Sequence, residues 1–239
     1  MKHQFDAFID DLRTTHGSNL VSVILYGSAA VGDFVRRQSD YNLLIALREI
    51  TPKDLRAAQA PMREWSKLGH PIPVYFTVEE LKSAADVFPI EFHQMESARR
   101  VLYGVDVLAN LHISDEYLRH QTEYELRSKL IQLRRRYIPA STSVEGLASL
   151  MTESFSSFVA LFRAVLLIHG FEPPVAKSEI VLATVRNLKL NGAPFEKILA
   201  IRENNSSKSL DEISANQLFA DYMSEIEAVI GAVDKLEKS

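Results

Sequence analysis

Residues 21–26, Val-Ser-Val-Ile-Leu-Tyr, form a short β-rich run that stops abruptly at Gly27-Ser28. A second apolar run, Asn42 to Leu47, follows a polar loop that includes Arg36, Arg37, Ser39 and Asp40. Two strands joined in this way restrict the first half of the chain to a sheet. The glycine lets backbone approach an anion closely, and the serine after it opens a helical turn whose free amides favour negative charge. Alternate strand residues share a face, so the interval between Asp40 and Asn42 points both side chains the same way. A phosphate cradle beside one carboxylate is a reasonable nucleoside triphosphate site.

The rest of the first half alternates helix and strand signals. Phe5, Phe8, Ile9 and Leu12 recur at helical spacing in an amphipathic opening segment, which reads as a folded helix rather than a signal peptide. Thr51-Pro52 supplies an N-cap and a first-turn proline for a helix that runs to about Leu68 and stops at Gly69. Residues 73–76 read as a third strand, and Thr77 with Glu80 forms a capping box. Phe88, Ile90 and Phe92 alternate and are expected to pair as a hairpin with a strand over 99–103, with Pro89 confining the first to an edge.

From Ser114 onward the pattern is helical. The expected helices run from Ser114 to about Tyr137, closed by Pro139, from Val144 to His169, stopped by Gly170, and over 177–190 and 194–203. Ser209 with Glu212 caps the last. The expected architecture is therefore α+β: a mixed β-sheet with flanking helices over residues 1–110, then an all-α helix bundle over 111–239.

Gly27, Ser28, Gly32, Ser39 and Asp40, with their spacing, resemble the signature of the minimal nucleotidyltransferases, the family related to DNA polymerase beta and to the aminoglycoside-modifying nucleotidyltransferases. The resemblance covers roughly residues 20–110. It implies a nucleoside triphosphate such as ATP held on Gly27, Ser28, Gly32, Ser39, Asn42 and Arg37. It also implies Asp40 as catalytic carboxylate and Mg2+ ligand, and transfer of a nucleoside monophosphate to a hydroxyl of a small molecule or protein. The nucleotide is expected between sheet and bundle, with the bundle shaping the acceptor pocket.

The sequence departs from that signature. The position of the second aspartate is Asn42, which offers an oxygen without charge and cannot bridge two hard cations. The strand expected to carry the third carboxylate, residues 73–77, has none. Asp86 and Glu91 are the acids left to approach the site. These departures leave open one magnesium bridged mainly by the nucleotide's phosphates. They also leave open an alternative: a catalytically degenerate, nucleotide-binding regulator or antitoxin-like partner protein.

Other chemistries find less support. The chain has no cysteine, which removes disulfides, thiolate zinc and a cysteine nucleophile. Its seven histidines show no zinc-binding spacing. The net charge of -4 argues against nucleic-acid binding by bulk charge, although Arg134-Arg135-Arg136 could line a basic cleft. Glu123 lies four residues from Arg119 and Arg127, and Glu125 four from Lys129, spacings that favour surface ion pairs. Arg163 and His169 are similar in spacing to HEPN ribonucleases, although Arg163 pairing with Glu153 and His169 at a helix end explain them more simply. Residues 158–168, interrupted by Arg163, are too few to span a bilayer. The expected protein is cytoplasmic, with no membrane partner, and a homodimer through the bundle is compatible with its apolar content.

Overall fold

The computed structural model of the chain describes residues 2–30, 41–113, 117–174, 176–204 and 210–236. It divides into two compact units, Met1–Ser114 and Asp115–Ser239. The first holds α1 (Lys2–His16), β1 (Leu20–Tyr26), β2 (Asn42–Leu47), α2 (Pro52–Ala57), α3 (Gln59–Lys67), β3 (Val74–Thr77), α4 (Val78–Ser83), α5 (Pro89–Ser97) and β4 (Arg99–Gly104). The strands form one mixed sheet in the order β3-β2-β1-β4. β1 is antiparallel to β2 and β4, whereas β2 and β3 run parallel.

Both faces of this sheet are covered, which is why its strands are nearly continuous apolar runs rather than alternating ones. On one face Val23, Leu25, Leu43 and Ile45 pack with Phe5, Phe8 and Leu12 of α1 and with Met62 and Trp65 of α3. The Trp65 ring nitrogen donates to the Pro71 carbonyl at 3.0 Å, so burial leaves its one polar atom paired. On the other face Ile24, Leu44 and Ala46 meet Leu81 of α4 and Phe92 and Met95 of α5.

Local signals explain most boundaries. Thr51 and Asp54 close a capping box at the start of α2, and Thr77 and Glu80 do the same for α4. The single helix expected over 51–68 breaks at Ala58 into α2 and α3. The hairpin expected from Phe88, Ile90 and Phe92 does not form. Those residues enter α5, because Pro89 serves as a first-turn helical residue and Phe92 and Met95, three apart, face the sheet. β4 instead pairs with β1.

The second unit contains α6 (Leu118–Ala140), α7 (Val144–Ile168), α8 (Lys177–Leu188), α9 (Ala193–Asn204) and α10 (Glu212–Lys235). α7 packs against the other four. Its length and composition would suffice to cross a membrane, so the expectation of too short an apolar stretch was drawn from only part of it. Phe155, Phe158, Phe162 and Val165 of this helix are buried in the bundle. Pro139 lies within the last turn of α6 rather than ending it. The loss of one amide there is tolerable because Ser141 already closes the turn onto Tyr137 at 2.8 Å. Ser114 and Ser209 lie outside the described residues, and the cap of α10 is Asp211, accepting from the Ser214 amide at 2.7 Å.

Two residues give sharp stability tests in the first unit. Gly104 (φ +77) ends β4 where a Cβ would collide with the Val21 carbonyl, whereas Gly69 (φ +86) has open space around it. Gly104→Ala should cost on the order of 3–5 kcal/mol, and Gly69→Ala about 1 kcal/mol from backbone strain alone. Equal losses in chemical denaturation would show that the collision is relieved.

His16, at the end of α1, is only 7% exposed, and neither ring nitrogen has a hydrogen-bond partner among the described residues. Burial lowers its pKa, partly opposed by the Asp54 carboxylate. The unfolded chain therefore takes up the proton first. The His16 contribution is full above about pH 6.5, declines below that value, and is lost once pH falls past the folded-state pKa. The thermal midpoint of the wild type should drop more between about pH 7.5 and about pH 5.5 than that of His16→Leu. Parallel pH profiles would show that His16 does not set this dependence.

Candidate functional site

The sheet register assembles the site at the end of β1. Tyr26, the last residue of β1, stands opposite Asn42, the first of β2, and on its other side opposite Arg99, the first of β4. Gly27 then takes φ +80, a left-handed conformation that favours glycine. Its amide donates to the Ala98 carbonyl at 2.8 Å, and its carbonyl accepts from the Ala30 amide at 2.9 Å. The chain thus turns at once into a 3-10 helix over Ser28–Ala30.

These bonds refine the cradle expected from sequence. The Gly27 and Ala30 amides are already committed to protein carbonyls, which leaves those of Ser28 and Ala29 as the turn's donors among the described residues. Asn42 sits directly beside the turn, its Nδ2 3.6 Å from where a Gly27 Cβ would lie. Gly27, Ser28 and Asn42 are therefore brought together. Gly32, Asp33, Arg36, Arg37, Ser39 and Asp40 lie outside the described residues.

The sheet face bears on Glu91, one of the two acids that the sequence left to approach the site, although the strand expected over 88–92 put it on an edge rather than a helix. Cross-strand partners share a face, so Asn42 lies with Tyr26 on the side covered by α5. Burial raises the Tyr26 phenol pKa, and the negative charge of Glu91 in the first turn of α5 raises it further. Glu91 thus lies within electrostatic reach of the Tyr26 phenol. The signal for the helix that carries Glu91 was present in the sequence: a proline at the first helical position with an acid two residues on marks a helix start better than a strand. Asp86 is exposed between α4 and α5, and no described contact joins it to Tyr26 or Asn42. β3 carries no acid, as its sequence required.

The described residues supply few donors for cations. Among the described residues no group of three or more histidines, aspartates or glutamates could hold a metal. Asn42 contributes an uncharged oxygen, and Glu91 a single carboxylate. These residues do not fit a two-metal centre.

The basic and nuclease-like features of the second unit are largely consumed by structure. Arg134 pairs with Glu227 at 2.6 Å, and Arg136 pairs with Glu153. Glu123 holds both Arg119, at 3.0 Å, and Arg127, at 2.7 Å, whereas no described ion pair joins Glu125 and Lys129. Arg163, expected near Glu153, donates instead to the Pro174 carbonyl at 2.7 Å. His169 caps α7, with Nδ1 2.8 Å from the Val165 carbonyl. Both members of the ribonuclease-like pair are thus engaged with backbone.

No family model and no curated protein matches the chain. Among solved structures it is similar to a spectinomycin adenyltransferase from Enterococcus faecialis, crystallised with ATP and spectinomycin. The TM-score is 0.61 and the identity 14%, over 97% of this chain and 99% of that one. At that identity the likeness is one of fold, and the chain has a nucleotidyltransferase-like fold.

The site yields a local electrostatic test. Glu91→Gln should lower the Tyr26 phenol pKa, read by ring-carbon NMR of labelled tyrosine with Tyr26→Phe assigning the signal. An unmoved titration would remove Glu91 from the neighbourhood of β1.

Proposed function

We propose that the protein binds a nucleoside triphosphate at the turn after β1 and transfers its nucleoside monophosphate to a hydroxyl acceptor. One observation carries this reading. The glycine ending β1 and the residue opening β2, parts of two separate sequence motifs, are neighbours across one strand pair. The fold likeness to an adenyltransferase solved with ATP supports ATP as the nucleotide.

In this reading the Ser28 and Ala29 amides hold phosphate oxygens, and the Asn42 side-chain amide donates a further hydrogen bond without adding charge. Glycine at position 27 keeps that surface free of side-chain bulk. The acceptor hydroxyl oxygen attacks the α-phosphorus, forming a new P–O bond as the bond to pyrophosphate breaks. The hydroxyl proton passes to the Asp40 carboxylate, which acts as general base. Arg37 offsets phosphate charge. Magnesium would enter with the nucleotide and would offset phosphate charge there.

Asn42 favours a second reading, in which the cradle binds nucleotide without turnover and the protein acts as a regulator. The two readings separate experimentally. With labelled ATP, magnesium and a panel of hydroxyl acceptors including spectinomycin, the first reading expects label transfer that Asp40→Ala reduces by about 100-fold or more, the scale for loss of a general base. Asn42→Asp, which restores a second carboxylate, should raise the rate. Binding by calorimetry without transfer under any acceptor would support the regulator. No binding at all would remove both.

A further inference from the structure

The β1–β2 ladder ends at the pair Tyr26–Asn42, and Gly27 beyond it bonds to Ala98 and Ala30 instead. The residue just before the ladder, Tyr41, is nevertheless only 4% exposed. Its ring enters the core formed with α1 and α3, together with Leu43 and Ile45 and away from Leu44. There it meets Phe5 of α1 edge-on, with ring centroids 4.9 Å apart, and Trp65 of α3 at 6.3 Å. His70 closes the group from the loop before β3, its ring 4.5 Å from that of Tyr41 and 4.7 Å from that of Trp65. The bond from the Trp65 ring nitrogen to the Pro71 carbonyl ties that loop to α3, and His70 with it. Segments distant in sequence thus grip one ring, through the edge-on and tilted contacts that aromatic side chains favour. Asp40 and Asn42 are the neighbours of Tyr41 along the chain.

We propose that this aromatic clasp positions the nucleotide site, with Tyr41 and His70 as positioning residues. The inference rests on the reading that ATP is held at the turn after β1. Strand alternation links the two faces: with Tyr41 sunk on the α1 side, Asn42 is directed to the α5 side. Past the end of a ladder a strand frays unless its side chains hold it. The clasp supplies that hold at the point where the Asn42 amide meets phosphate. A misplacement of about 1 Å in a group far from the chemistry can cost about 100-fold. A loosened ring at position 41 therefore weakens the site without itself touching nucleotide. Leu12, buried in the same core, lies about 10 Å further along α1 than Phe5 and provides the comparison.

Calorimetry of the full chain with ATP and magnesium tests the clasp. Tyr41→Leu and His70→Ala should each weaken binding about tenfold or more, at a temperature where circular dichroism shows them folded. His70 is half-buried, so its truncation decides the matter even if Tyr41→Leu does not fold. Tyr41→Phe and His70→Phe, which keep a ring, should stay within about threefold of wild type. Leu12→Ala, which truncates the same core at its other end, should leave affinity within about twofold. Without nucleotide, relaxation of the Asn42 backbone amide should show added mobility in Tyr41→Leu and none in Leu12→Ala. A wild type that binds no ATP would remove the nucleotide reading and this inference with it. Where the wild type binds, full affinity in Tyr41→Leu or His70→Ala would overturn the inference alone. So would an equal loss in Leu12→Ala, a loss in either ring-keeping variant, or unchanged Asn42 mobility in Tyr41→Leu.

Discussion

The pairing of β1 with β2 determines what the first unit can do. Buried side chains on both faces fix its register, since a slip by one residue would exchange Leu43 and Ile45 with Leu44 and Ala46 between two different cores. That register alone sets Asn42 opposite Tyr26 and beside the Gly27 turn. The site is therefore a consequence of core packing rather than of contacts within the site. Its exact alignment is stabilised by apolar area on both sides of the sheet, at roughly 25 cal/mol per Å² removed from water. β4 reinforces it from the other edge, where the Ala98 carbonyl holds the Gly27 amide.

The same arrangement limits the chemistry. In the proposed reading, a neutral amide stands where a second carboxylate would concentrate cations, and phosphate charge would be met mainly by backbone amides and by side chains beyond the strand. Glu91, carried by α5 onto the same face, brings back some negative charge close to Tyr26. Under the proposed function, the described residues of such a site would be better furnished for holding a triphosphate than for organising two metal ions around it. Turnover, in this view, depends heavily on how well Asp40 alone serves the acceptor hydroxyl.

Much of this was legible in the sequence because the relevant signals are local. The two central strands, the capping residues Thr51 and Thr77, and Gly170 after α7 act within a few residues of themselves. The segment 88–92 was misread because alternation over five residues fits a strand and also one face of a short helix. Only the contacts of Phe92 and Met95 with the sheet distinguish them. Distant pairing was invisible for a different reason. The arginine run looked like an open basic surface, yet Arg134 finds Glu227 on α10 and Arg136 finds Glu153 on α7, partners that only the packing of the bundle brings near.

A crystal structure grown with magnesium and a non-hydrolysable ATP analogue bears most directly on the account. The phosphates should lie within hydrogen-bond distance of the Ser28 and Ala29 amides, with the Asn42 amide alongside and the Asp40 carboxylate turned toward the α-phosphorus. A nucleotide bound elsewhere, or an Asp40 carboxylate facing away from occupied phosphate positions, would refute the claim that the end of β1 is the nucleotide site.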